Sequence, residues 1–322
     1  MSTANPVPET WKLTGDDARE TLKRTGTRRL VKDSLRRFRV ADGFSHARSL
    51  AYLTTLVFLQ GIIALVGLAS AAGRGGISDL IVRTMQTVVP GPASSALTDA
   101  VKQANKTGSS HRYLALTLGL AGALITGTTL MGQIERALNR IYGIEQDRPT
   151  RQKYFHAFAL ALSAGALVIA AFAALALGRA IGASISSTSA ATVWSVVRWP
   201  LALLSLAAGI ALMFRHAPKR HQPAWSWLAF GAGVSVILLM VVTVGLDLLF
   251  QLSSTFGKTY GPLASIVALM LWAMLASIAL LLGAAIAAQL EAVRAGSATP
   301  QSAEKVQDSE PSRTRSIDPA RS

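Results

Sequence analysis

Residues 227–250 read WLAFGAGVSVILLMVVTVGLDLLF, an apolar run interrupted by a single charge, Asp247. A helix needs roughly 20 mainly apolar residues to cross a hydrocarbon core about 30 Å thick. The stretch is long enough and greasy enough to do so. Five more runs of the same kind lie at 49–72, 113–134, 157–178, 193–214 and 262–288. The expected fold class is therefore an all-α integral membrane protein with six transmembrane helices.

Composition agrees. The chain has 322 residues, 51% hydrophobic and 15% charged, with a mean hydropathy of +0.39. A soluble domain of this size carries about a quarter charged residues. The net charge is nevertheless +15, so the cations are concentrated outside the apolar runs. Counted over alternate connecting segments, Lys and Arg divide 24 against 8. Basic residues are retained on the cytoplasmic side during insertion, which predicts both termini in the cytoplasm of a bacterial inner membrane. Residues 1–28 hold no apolar h-region, so no cleavable signal peptide is expected. Cysteine is absent, which excludes disulfides, thiolate metal sites and cysteine nucleophiles.

Three regions follow: a basic N-terminal segment at 1–47, a transmembrane domain at 48–292 and a cytoplasmic tail at 293–322. Residues 19–39 are dense in Arg and Lys, with Leu30, Val31, Leu35 and Phe38 near helical spacing. This predicts a short amphipathic helix lying on the anionic cytoplasmic leaflet, where each basic group contributes about 1 kcal/mol. Nucleic acid is not the expected partner, because the patch lacks interleaved aromatics beyond Phe38. In the first outer loop Ile77, Leu80, Ile81, Met85 and Val88 share a helical face, followed by the breaker Val89-Pro90-Gly91-Pro92. A second short interfacial helix is expected through Leu97 and Val101. The tail after Gly296 is rich in Ser, Pro and charge and reads as disordered.

Three motifs carry a family resemblance. Ala47-Arg48-Ser49-Leu50-Ala51-Tyr52 opens the first span. Leu138-Asn139-Arg140-Ile141-Tyr142-Gly143, then Arg148-Pro149, follows the second. Tyr260-Gly261-Pro262-Leu263-Ala264, Leu271-Trp272, Leu281-Leu282-Gly283-Ala284 and Leu290-Glu291 mark the sixth. In order and spacing, over about residues 30–294, the chain resembles the YihY/virulence factor BrkB family of bacterial inner-membrane proteins, some members of which carry the label "ribonuclease BN". Where that pattern has a Ser and then a Pro in the first span, this chain has Val57 and Gln60. The resemblance implies an all-helical membrane fold and a role in the envelope; it settles no activity.

The ribonuclease label can be tested against chemistry. Phosphodiester hydrolysis calls for clustered carboxylates holding metal, or paired His. Glu135, Glu145 and Asp147 are outnumbered by cations, and His46, His111, His156, His216 and His221 are scattered. The phosphate-cradling, zincin and nucleophile-elbow motifs are missing. No catalytic residue, metal or cofactor is expected, and the chain reads as a non-enzyme.

Polar groups in or beside the apolar runs are the candidates, because burying them in lipid is expensive. Gln60 lies mid-span, where an interhelical hydrogen bond competes with a functional role. Asp247 sits one turn from the outer end of its span, with Gln251 one turn on. At the inner end of the second span Glu135, Asn139 and Tyr142 share a face beside Arg136 and Arg140, with Arg148 in the loop. That group is either a basic cap fixing orientation or a vestibule in which arginines bind an anionic head group. Tyr260 enters through the third motif. Gly119, Ala123 and Gly127, and Gly283 with Ala287, let helix backbones approach closely. Trp194 and Trp199 on the outer side, and Trp225 and Trp227 on the inner, fit interfacial belts.

The expected function is a transporter-like envelope protein handling an amphiphilic anionic molecule such as a lipid or glycolipid. The competing class is a non-transporting scaffold or assembly factor that binds anionic lipid. A membrane-bound enzyme is the third. Expected partners are anionic lipids of the cytoplasmic leaflet, with a homo-oligomer admitted.

Overall fold

The computed structural model describes residues 4–10, 15–71, 82–86, 88–184, 188–252 and 263–300. Two short helices, α1 (Gly15–Thr25) and α2 (Thr27–Val40), precede α3 (Gly43–Ala71). Then come α4 (Gly91–Tyr142), α5 (Thr150–Ser184), α6 (Thr188–His216), α7 (Trp225–Leu252) and α8 (Ala264–Arg294). No strand occurs among the described residues. Six segments are long and apolar enough to cross a membrane: Gly43–Leu68, Leu116–Tyr142, Thr150–Ala176, Thr192–His216, Trp225–Leu252 and Ala264–Arg294. Each predicted run falls in its own helix, and the molecule is a multi-pass membrane protein.

Helices embedded in lipid gain nothing from hiding apolar surface, so close backbone contact is what holds them together. A Cβ on Gly119 would lie 2.6 Å from the Ala64 nitrogen, and one on Gly67 2.6 Å from the Leu116 nitrogen. The α3–α4 contact is thus built on two missing side chains. Gly231 and Gly283 do the same for α7 and α8: a Cβ on Gly283 would stand 2.6 Å from the Gly231 carbonyl oxygen. α3 runs unbroken through Gln60.

The separate second interfacial helix expected through Leu97 and Val101 does not exist. Those residues open α4, 52 residues long and uninterrupted from Gly91 to Tyr142. Pro90 is its N-cap and Pro92 lies in its first turn, where a missing N–H costs nothing. The dipeptide that reads as a breaker is a starter. Met85, Val89, Ala93, Leu97 and Val101 are all buried, within one core that also holds Ile62, Val66, Leu246, Phe250, Leu269 and Trp272. Ile77, Leu80 and Ile81 lie outside the described residues.

Two cores divide the bundle along its length. The core at the end where the described N- and C-terminal segments meet draws on every spanning helix, including Leu50, Leu138, Leu160, Phe214, Leu228 and Leu281. Among the described residues, the core at the opposite end has no buried member from α5 or α6; half-buried Phe172 of α5 packs against it. Along α6, residues 192–201 include none that is buried. Among the described residues, burial along α5 and α6 is dense toward the terminal end and thins toward the other.

The basic stretch expected as one helix forms two, broken at Gly26, and the apolar stripe of α2 is shared out. Leu30 packs with Trp227 and Leu290, Phe38 joins the terminal core, and Val31 and Leu35 stay exposed at 43% and 40%. Trp227 is accordingly buried at 1% rather than seated in an interfacial belt, because α1 and α2 cover it; Trp225 is exposed. The tail beyond residue 300 lies outside the described residues.

Candidate functional site

The polar residues of the terminal end are organised by the way α4 stops. Gly143 caps it in the left-handed region, φ 79°, which a residue with a Cβ adopts at a cost. A Cβ there would also stand 2.5 Å from Pro6, because the N-terminal segment 4–10 lies across this turn as a strap. The strap satisfies carbonyls the helix end leaves open: Ala4 N–H donates to Arg140 O at 3.2 Å and Val7 N–H to Tyr142 O at 3.1 Å.

Asp147, in the α4–α5 loop, gathers three neighbours. It accepts from the Asn139 amide at 2.9 Å, from Arg136 Nε at 3.3 Å and from Lys153 Nζ at 3.3 Å. Burial pushes the Asp147 carboxyl up, but the Asn139 amide and the Lys153 ammonium outweigh it and hold it below its ordinary value. Asn139 spends its oxygen on the Lys219 N–H at 2.9 Å. Arg140 clamps the same loop through the Ile144 and Glu145 carbonyls at 2.7 and 2.6 Å.

Glu135 is wholly buried and stands 3.1 Å from Arg148 Nη1. The pair is a charge contact rather than an aligned hydrogen bond, since neither carboxylate oxygen has a donor in line. Arg148 is occupied on its other sides by carbonyls of the α6–α7 turn: Ala217 at 2.7 Å, Pro218 at 3.1 Å and His216 at 3.4 Å. The five residues read as one group (Glu135, Arg136, Asn139, Arg140 and Arg148) are thus brought together. Their bonds run to one another and to two connecting turns, which they tie into one rigid floor.

A second polar centre lies beside this floor, under the strap. Arg37 is fully buried; its Nε donates to Gln289 Oε1 at 2.8 Å, and Nη1 to the Asn5 and Ile141 carbonyls at 3.0 Å each. Burial pushes this guanidinium down to about 10. Arg220 Nη2 meets Glu291 Oε1 at 2.6 Å and the Pro8 carbonyl at 3.0 Å. Its guanidinium carbon sits 4.8 Å over the Tyr142 ring. Thr10 donates to Glu291 from the strap. Two buried guanidiniums therefore face one carboxylate.

None of Arg37, Arg220 and Glu291 was a predicted site residue. A signal existed for two of them. Arg37 falls on the helical face of Leu30 and Ser34, where a cation has no business unless it is paired, and Glu291 is the sole carboxylate in α8. Nothing marked Arg220 apart from its neighbours. Two candidates lie away from this end. Asp247 is half-buried and accepts from Gln251 Nε2 at 2.6 Å. Gln60 lies over Gly122, with its Oε1 enclosed and without a donor. Tyr260 lies outside the described residues. Among the described residues no three of His, Asp and Glu stand together as metal ligands.

Comparison with known proteins places these features in a lineage. Residues 34–308 match the family model described as "Virulence factor BrkB". The "Putative ribonuclease-like protein YfkH" of Bacillus subtilis is 24% identical over 267 residues, covering 81% of this chain and 94% of that protein. A "UPF0761 membrane protein" of Rhodospirillum centenum is 27% identical over 293 residues, covering 89% of this chain and 64% of the relative. One of Verminephrobacter eiseniae is 31% identical over 198 residues, covering 56% and 43%. The chain thus spans most of the Bacillus protein but under two thirds of the UPF0761 relatives. No solved structure matches.

Proposed function

The chain belongs to the virulence factor BrkB family of bacterial membrane proteins, and from that premise we propose that it is a transporter-like protein of the inner membrane that handles an amphiphilic anionic molecule, a lipid or glycolipid, with both termini in the cytoplasm. One observation carries the reading. The helices are knitted into a dense core at the terminal end, yet ten consecutive residues of α6, 192–201, include none that is buried. A helix that merely faces lipid on its outside still buries one side at a 3.6-residue period. A bundle densely packed at one end and thinly packed along this stretch offers an apolar chain a lateral way in. The exposed face of α2 supports the anionic part of the reading: Arg28, Lys32 and Arg39 flank exposed Leu35, the pattern of a helix lying on an anionic surface.

The competing scaffold reading draws on the packed half and needs no opening. Catalysis has less support. The ribonuclease-like name belongs to the Bacillus relative, and here the carboxylates of the terminal end are held by arginine, lysine and asparagine. The test is lipid mass spectrometry on protein extracted in a mild detergent. Transport predicts near-stoichiometric anionic lipid, depleted by Val197→Trp and Leu201→Trp, which add bulk to the thinly packed stretch of α6. Lipid retention indifferent to both substitutions would favour the scaffold.

A further inference from the structure

Between the α6–α7 turn and the N-terminal strap lies a cleft of about 780 Å³ lined by Glu9, Arg215, His216, Arg220, His221 and Gln222. We propose that this cleft is a binding site for a phosphate group, with Arg215 and Arg220 supplying the charge and Gln222 a neutral donor.

The plain alternative is a solvated basic turn of the kind every such loop carries. Arg220 does not behave that way. Its side chain is only 3% exposed, and although Nη2 is committed to Glu291 and Pro8, Nε and Nη1 are enclosed without an acceptor. Gln222, 9% exposed, turns its amide to the Tyr142 hydroxyl beneath the Arg220 guanidinium. A buried donor left unfilled is costly, so the two unfilled donors of Arg220 point to an acceptor. The charge balance gives its sign, since Arg37 and Arg220 share the one carboxylate of Glu291.

The cleft walls fit the same ligand. Arg215 is fixed rather than waving, 4.6 Å over the Trp225 ring, with Nη1 3.4 Å from the Pro223 carbonyl. Its planar fork is then half-used and turned to a site whose geometry a tetrahedral oxyanion matches. Glu9, the one acid on the wall, is already satisfied: the His221 backbone N–H and ring Nδ1–H donate to its two oxygens, each at 3.2 Å. Those contacts hold the carboxyl below its ordinary value. His216 donates Nδ1–H to the Leu212 carbonyl at 3.1 Å, which leaves Nε2 uncommitted. Two guanidiniums, two imidazoles and an amide around a space this size suit one phosphate and its substituent, not a polymer. The site sits at the end away from residues 192–201, so it stands or falls independently of the transport reading.

The phosphate could belong to a lipid head group or to a soluble compound. Full-length protein in a phosphate-free maltoside should be titrated calorimetrically with inorganic phosphate and with short-chain phosphatidic acid, for wild type and for Arg215→Gln and Gln222→Ala. Both variants avoid the Arg220–Glu291 pair and should keep the wild-type unfolding temperature. Saturable binding weakened at least tenfold by Arg215→Gln supports the site. Binding of both ligands then means the phosphate group suffices, and binding of phosphatidic acid alone means the acyl chains contribute. Binding of neither, or binding unchanged in both variants, overturns the proposal.

Discussion

Arg220 and Glu291 meet at 2.6 Å with side chains 3% and 1% exposed, although 71 residues separate them along the chain. A pair so enclosed is worth little against an apolar substitute, but breaking it on one side leaves a bare charge inside the protein, which costs about 3–5 kcal/mol. Arg220→Ala should therefore lower the unfolding free energy by that amount, and the double replacement Arg220→Met with Glu291→Leu should recover most of it. Chemical unfolding in detergent measures both. A double variant as unstable as the single would mean that the pair is needed for the fold rather than merely balanced within it.

Arg148 reaches Glu135 and three carbonyls at once because its fork is flat and branched. Lys keeps the charge but cannot span those acceptors. Arg148→Lys should lose about 1–3 kcal/mol through the missing hydrogen bonds, and Arg148→Ala about 3–5 kcal/mol through the stranded carboxylate. Full stability of the Lys variant would reduce Arg148 to a counter-charge.

The Asp147 carboxyl sits below its ordinary value in the folded protein, so it releases its proton more readily there than in the unfolded chain. Its contribution is complete above the unfolded value, about 3.9, and is lost as pH falls through the depressed folded one. Unfolding midpoints followed from pH 7 down to about 3 should drop in wild type. Asp147→Asn should start lower and fall less. Parallel curves would remove Asp147 as an acid-sensitive tie.

Orientation can be read directly, because the chain has no cysteine. Lys102 and Gln146 are both exposed and lie on opposite sides in the proposed topology. Lys102→Cys should react with an impermeant maleimide in intact cells, and Gln146→Cys only after lysis. Reaction of position 146 from outside would reverse the assignment of both termini.

The six spans could be read from hydrophobic length alone, because lipid imposes one dimension on every helix. The tie of Asp147 and Asn139 was partly legible, since Glu135, Asn139 and Tyr142 recur at helical spacing. The length of α4 was not: Pro90-Gly91-Pro92 breaks a helix in most contexts and begins one here. Trp227 was misjudged for a related reason. An indole near a span's end looks the same whether lipid or another helix covers it, and the cover, α1 and α2, comes from two hundred residues upstream. Arg37 and Gln289 are 252 residues apart, and no period in a single sequence links such positions.

The strap has a bearing on how the protein is made. Asn5 donates its backbone N–H to the Pro300 carbonyl at 2.9 Å, and Thr10 and Arg37 reach partners at 291 and 289. The strap's bonds to Arg140 and Tyr142 need only the end of α4, whereas the bonds to 289, 291 and 300 wait for α8. Until α8 is in place, Arg37 lacks Gln289 and Arg220 lacks Glu291. The last helix thus supplies the partners that lock two arginines of earlier segments into the finished bundle.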